Sequence, residues 1–291
     1  GVDFTDSQTD GIDASLRFVH TGDTPWLALA YVQVRDFKSG FASVATDRNS
    51  VAPALYQEVP ATGLGARFEI RPEIGGENPL RLGAHWRRTT GQTEEDYFFA
   101  GLTPGRHRTA GGSSDTVGAF AEWTSGDPHD GFLWTLSGRV DRWWLGEGFR
   151  NERNIGGSVI TDLRSAARQG WEGSGRAGVR WTSDDSISLR AAGYRGWRLP
   201  TLNELYRPFR VGAETTLANE MLKPERLWGG EVGIDWNYSG TKLSATLFAN
   251  HLTNAIANVT LAPNLNQRQN LGAIDSKGVE FSAEQPIGPL V

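Results

Sequence analysis

The chain has 291 residues, 38% of them hydrophobic, with 11 Trp, 13 Phe and 36 Gly, no Cys, a formal net charge of −5 and a mean hydropathy of −0.42. That aromatic content excludes a disordered chain, the missing Cys excludes disulfides and thiolate metal sites, and the negative charge without any basic run argues against a nucleic-acid partner. No window approaches the roughly 18 consecutive apolar residues of a transmembrane helix, whereas a barrel with an apolar outer belt and a wet interior accounts for a low hydropathy rich in aromatics.

Alternation of apolar and polar residues is the dominant pattern, as expected of strands with two different faces. It predicts strands at 11–21, 26–37, 61–74, 80–89, 115–125, 131–144, 171–182, 186–197, 229–238, 241–252 and 276–285. Most have the roughly 9–11 residues that a tilted strand needs to cross a bilayer. Connections alternate in length. Gly22–Pro25, Gly75–Pro79, Gly126–Gly131, Ser183–Asp185 and Ser239-Gly240 carry turn chemistry, and long segments lie at 38–60, 90–114, 145–170, 198–228 and 253–275. Short turns on one side and long loops on the other are the habit of up-and-down membrane barrels. A β-propeller with a similar repeat would need four short strands per repeat, where two long ones are read here.

The two faces separate by chemistry. Leu82, Ala84 and Trp86, with Val232, Ile234 and Leu247, share an apolar face. Arg81, His85, Arg139, Asp141, Arg176, Arg190 and Asp235 share the opposite one. An Arg at mid-bilayer on the lipid side costs about 2–4 kcal/mol, so the charged face is assigned to the lumen. Arg142 and Arg195 break the rule near the long-loop end. Ten Trp fall near strand ends with the parity of the apolar face and are read as two aromatic girdles; Trp143 alone is expected to face inward. The fold expected is therefore all-β, a partial transmembrane antiparallel up-and-down β-barrel of about 11 strands.

The stretch Gly193-Tyr194-Arg195-Gly196-Trp197-Arg198-Leu199-Pro200-Thr201-Leu202-Asn203-Glu204-Leu205-Tyr206 is followed by Asn219-Glu220-Met221-Leu222-Lys223-Pro224-Glu225, Asn270-Leu271-Gly272 and Gly278-Val279-Glu280. This order resembles the barrel domain of TonB-dependent outer-membrane receptors. Trp197 stands where Phe is common in the motif, and Glu220 where Pro is. The resemblance implies a Gram-negative outer-membrane barrel that imports a scarce solute, such as a siderophore-type metal chelate. Transport would be energised by TonB–ExbB–ExbD through an N-terminal plug, amid outer-membrane lipid and lipopolysaccharide. Residues 1–291 are read as part of one such barrel domain, without plug or final strands. A passive porin-like channel is the alternative.

Within the motif, Arg198, Pro200, Thr201, Glu204, Tyr206, Asn219, Lys223, Pro224, Glu225, Gly278 and Glu280 are expected to shape strand ends and loops, with Pro200 and Pro224 marking the loop boundaries. For ligand capture, the loop candidates are the cationic cluster Arg106, His107 and Arg108 and the cationic–aromatic group Tyr206, Arg207, Phe209 and Arg210. Guanidinium forks suit the oxygens of an anionic chelate. No catalytic constellation, metal site or cofactor is expected. His20, His85, His107, His129 and His251 are scattered, His85 being read as a lumen hydrogen-bonding group, and Glu94-Glu95-Asp96 is expected to be a solvated loop.

Overall fold

A computed structural model describes residues 3–72, 80–99, 101–127, 129, 131–183, 186–211, 214–286 and 288. The predicted turn at 75–79 and parts of those at 126–131 and 183–185 lie outside the described residues. Within them the chain runs β1 (Ser7–His20), β2 (Trp26–Val44), β3 (Val51–Ile70), β4 (Leu80–Tyr97), β5 (Arg106–Gly126), β6 (Gly131–Asn154), β7 (Val159–Arg164), β8 (Arg168–Ser183) and β9 (Ile187–Arg198). A short helix α1 (Leu202–Tyr206) follows, then β10 (Phe209–Val211), β11 (Glu214–Leu217), β12 (Glu225–Tyr238), β13 (Thr241–Thr253), β14 (Ile256–Ala262), β15 (Leu265–Asn270) and β16 (Ala273–Glu284).

Eleven of these strands form one antiparallel meander, β1-β2-β3-β4-β5-β6-β8-β9-β12-β13-β16, with β7 paired onto the outer part of β6. Each predicted strand has its counterpart. The sheet is an open segment of barrel wall with β1 and β16 as its edges. Its short turns follow local chemistry: Ser239 and Gly240, with φ of 48° and 84°, form the two-residue loop of a hairpin that pairs Tyr238 with Thr241, as a type I′ turn requires.

Strands β2 to β6 run further than their alternation predicts. β2 continues to Val44, β3 begins at Val51, β4 ends at Tyr97, β5 begins at Arg106 and β6 reaches Asn154. Much of the expected long loops at 38–60, 90–114 and 145–170 is thus ladder. Beyond the bilayer both faces of a strand meet water, so nothing enforces a period-two contrast, while the backbone still gains from pairing.

The face assignment holds. Val232, Leu247 and Val279 lie side by side across β12, β13 and β16, each about half exposed on the outer face. Leu82 is exposed too, while its neighbour Arg81 reaches inward to Glu69 and Glu122. One bulge alters the bookkeeping of faces: between Gly111 and Ser113 of β5 the register with β6 shifts, and Glu147 adopts φ 54°. Below it the buried positions of β6 are Asp141, Trp143 and Leu145; above it they are Gly148 and Glu152. The extra residue moves the inward set from odd to even positions.

One seam interrupts the ladder. β8 pairs with β9 from Gly175 to Ser183, yet residues 168–174 of β8 continue on β6 alone, while β9 continues on β12 to Arg198. Side chains close the gap: Arg195 donates to the Gly173 carbonyl at 2.7 Å, Arg226 to Glu172 at 2.6 Å and Arg168 to the Leu222 carbonyl at 2.8 Å. Trp197 enters this gap. Its indole N–H donates to Asp141 at 3.3 Å and its ring packs near Trp143, so it is an inner side chain and not a girdle residue as its parity predicts. Parity is no guide once a strand has left its neighbour.

Candidate functional site

The inner wall is a lattice of charge pairs. Glu69, buried, accepts from Arg67 at 2.7 Å, Arg71 at 3.1 Å and Arg81 at 2.7 Å, and Arg81 reaches on to Glu122 at 3.1 Å. Asp141 accepts twice from Arg139 at 2.7 and 2.8 Å, and Arg139 also meets His85 at 2.9 Å, which makes His85 a lumen hydrogen-bonding group. Further round, Arg176 holds Glu231 at 2.8 Å, and Arg190 holds Asp235 at 3.1 Å and Thr246 at 2.6 Å. Gly118 makes room for the Asp141–His85 meeting, since a Cβ there would stand 2.0 Å from the Asp141 carboxylate. Of these groups, Arg67, Arg81, Glu122, His85, Arg139, Asp141 and Arg176 border a concavity of about 930 Å³.

A strap, residues 199–211 and 214–224, folds against this wall. Thr201 caps α1: its hydroxyl accepts from the Glu204 amide at 3.2 Å and Glu204 returns to the Thr201 amide at 2.7 Å, a capping box. Arg198 ties the two ends of the strap together, donating to Glu204 at 2.9 and 3.1 Å and to Glu225 at 2.5 Å. Burial alone would raise the Glu204 carboxyl, but Arg198 and the Thr201 cap hold it below its ordinary value; the Arg198 guanidinium is correspondingly raised, first by its bond to Glu204.

Tyr206 projects into a slot in β5 and β6, where a Cβ on Gly112 or Gly148 would come within 2.7 or 2.5 Å of its ring. Burial pushes its phenol pKa up. With Leu205, Leu222, Trp143 and Leu145 it forms a buried hydrophobic cluster, flanked by Leu199, Leu202 and Trp197.

Asn219, Lys223 and Pro224 fasten the strap to its neighbours. Asn219 donates to the Arg268 carbonyl at 2.9 Å, the Lys223 amide donates to Asn270 at 2.8 Å, and the Pro224 carbonyl accepts from Asn254 at 3.3 Å. β10 and β11 join β15 and β14 in a second, four-stranded sheet, β11 lying parallel to β15. Gly278 admits the Phe248 ring, and Glu280 lies opposite Thr246 on β13.

The loop candidates divide. Arg106 and Arg108 share the inner face of β5, and the alternation of the strand turns His107 to the other side, where it meets Asp96 at 2.9 Å. The three are therefore not one cluster. Arg108 and Arg207 both close on Glu95, at 2.6–2.7 Å and 2.6–3.0 Å, and Arg108 also donates to Tyr97 and to the Pro208 carbonyl.

Glu95 is fully buried, so the expected solvated loop is instead the anchor of the strap. The sequence signal available was its period-two place opposite Arg108 across the ladder. Burial, opposed by Arg108 and aided by Glu95, pushes the Tyr97 phenol up to about 12. Arg106 holds Glu152 at 2.8 Å with its Nε buried and unbonded, and Arg210 is exposed on β10. Among the described residues no His, Asp and Glu group could hold a metal ion.

An apolar outer belt, a salt-bridged inner face, one antiparallel meander and a strap over the wall define a segment of up-and-down β-barrel. The sequence matches the family described as TonB dependent receptor-like, beta-barrel, over residues 1–288, and the chain belongs to that family. Its members are transport receptors of Gram-negative outer membranes, which bind small-molecule ligands and interact with TonB.

Similar solved structures include the copper transporter OprC (TM-score 0.76, 18% identity, 96% of this chain and 46% of that one). Others are the ferric-catecholate import receptor Fiu from E. coli K12 (0.67, 14%, 99% and 46%) and the ferric yersiniabactin uptake receptor FyuA from Yersinia pestis (0.66, 16%, 97% and 40%). The chain spans less than half the length of each. No curated protein matches it.

Proposed function

We propose that this segment is the barrel wall of an outer-membrane receptor that captures a scarce solute outside the cell and imports it with energy from TonB–ExbB–ExbD. The observation that carries the reading is the strap, packed through Tyr206 and Glu95 onto a wall of paired charges. Porin-like pores also fold loops onto their walls, so it is the family match over residues 1–288, together with this strap, that favours a gated receptor over such a pore. Arg108, Arg207 and Tyr206 hold the strap; of the loop candidates, Arg106, paired with Glu152, and Arg210, exposed on β10, lie outside that anchor, and an anionic metal chelate suits guanidinium groups of this kind. The surrounding partner is outer-membrane lipid with lipopolysaccharide.

Uptake by the intact protein in cells tests this. An R106Q/R210Q pair should weaken binding of an anionic ferric chelate about tenfold, and an uncoupler of proton-motive force should stop its accumulation. Uptake that continues unchanged with the uncoupler would establish a passive pore instead.

A further inference from the structure

The outer face near the long-loop end carries the Arg142 guanidinium, which the charge lattice does not use, and close to it Arg195, which the lattice holds only from one side, through Glu172. Arg142 projects from β6 among lipid-facing side chains and lies over two indoles, 5.5 Å from the Trp144 ring centroid and 5.2 Å from that of Trp171. Trp171 is 63% exposed. No hydrogen bond or ion pair to Arg142 exists among the described residues. On the same face, Arg88 has both Asp115 at 3.2 Å and Glu147 at 3.4 Å, so carboxylates are within the fold's means at this level, and Arg142 is left without one.

Arg195 repeats the arrangement two strands away. It lies 5.0 Å over exposed Trp228, bonds the Gly173 carbonyl, stands 3.6 Å from Glu172, and keeps a buried Nε with no acceptor. Beside it an apolar concavity of about 1150 Å³ runs along the outer face past Trp123, Leu136 and Trp228. The nearest further titratable groups on this face, His251 and Asp275, pair with each other at 2.7 Å.

A guanidinium stacked on Trp keeps its in-plane N–H donors directed outward, and in hydrocarbon or at its border these donors need an acceptor. The lipid side of the wall offers none from the protein at Arg142. A lipid phosphate meets the need: it accepts from a guanidinium fork in two places, and the acyl part of the same molecule covers the apolar concavity.

We propose that Arg142, held between Trp144 and Trp171, and Arg195 on Trp228 form a binding site for the phosphate headgroup of an outer-leaflet phosphorylated glycolipid on the outer wall of β6, β8, β9 and β12. The site is independent of any transported solute.

Native mass spectrometry of the intact receptor in detergent tests it, with diphosphorylated lipid A and its dephosphorylated form as probes. The wild type should retain the diphosphorylated lipid at least tenfold better. R142Q/R195Q should remove that preference, and R142K, a point charge without the fork, should keep part of it. W171L should lower it in the same direction, which secures the test if an arginine variant fails to fold. Equal retention of the two lipids, an unchanged R142Q/R195Q, or complete displacement by inorganic phosphate would overturn the proposal. So would the finding that this face is occupied by a second copy, seen as a dimer that R142Q/R195Q converts to monomer.

Discussion

Glu95 shows how much one carboxylate can organise. It is buried without solvent, accepts from Arg108 of the wall and from Arg207 of the strap, and so couples two segments far apart in sequence. Removing one member of a buried charge group leaves the others unpaired, at a cost of about 3–5 kcal/mol. E95Q is therefore expected to release the strap, read as new protease cleavage within 199–224 and a lower unfolding temperature. Unaltered cleavage would refute the anchor role.

Glu204 acts by a different lever. Because its folded pKa is lowered, its contribution is present above the carboxyl's unfolded value and is lost as pH falls through the folded one. Strap protection in wild type should fall with acidification across that window, and less so in E204Q. The Tyr206 slot makes a steric prediction. G148V should expel the ring, and the double variant G148V/Y206A should relieve the clash, so that the two losses are not additive.

At the scale of elements, the strands were legible where one face meets lipid and the other water. In β12, Val232, Ile234 and Trp236 alternate with Glu231, Gly233 and Asp235, and both the strand and its orientation follow. The outer thirds of β3, β5 and β6 were not legible, because the contrast between faces disappears in water while the ladder persists. The β5–β6 bulge was hidden as well, since one extra residue leaves no compositional mark. Its consequence is testable. Deleting Glu147 should restore a continuous register and turn Arg150 and Glu152 outward, so Arg106 would lose its partner and the hairpin above the bulge its protection from protease.

The motif residues were recognisable in order; Arg198, Thr201, Glu204, Tyr206, Asn219, Lys223 and Pro224 lie at the bonds and packing that fasten the strap, while Gly278 and Glu280 lie apart from it on β16. The hub at Glu95 was missed because acidic residues in a long segment read as solvated, and only the cross-strand pairing reveals Arg108 opposite.

For the molecule as a whole, β1 and β16 each present an unpaired edge, which hydrocarbon does not tolerate. Residues 1–291 expressed alone should therefore refold in detergent as a heterogeneous, self-associating sheet; a heat-resistant monodisperse monomer would contradict the open topology. The seam between β8 and β9 leads further. Elsewhere the wall is stitched by backbone bonds that can only break in series, but over residues 168–174 the stitching is done by a few arginines and one indole. A zip whose top teeth are side chains can part there by rotamer changes alone. Under lateral tension the barrel would begin to tear at this line, and amide exchange in 168–174 and 196–198 would be faster than in the same positions of β5 and β6.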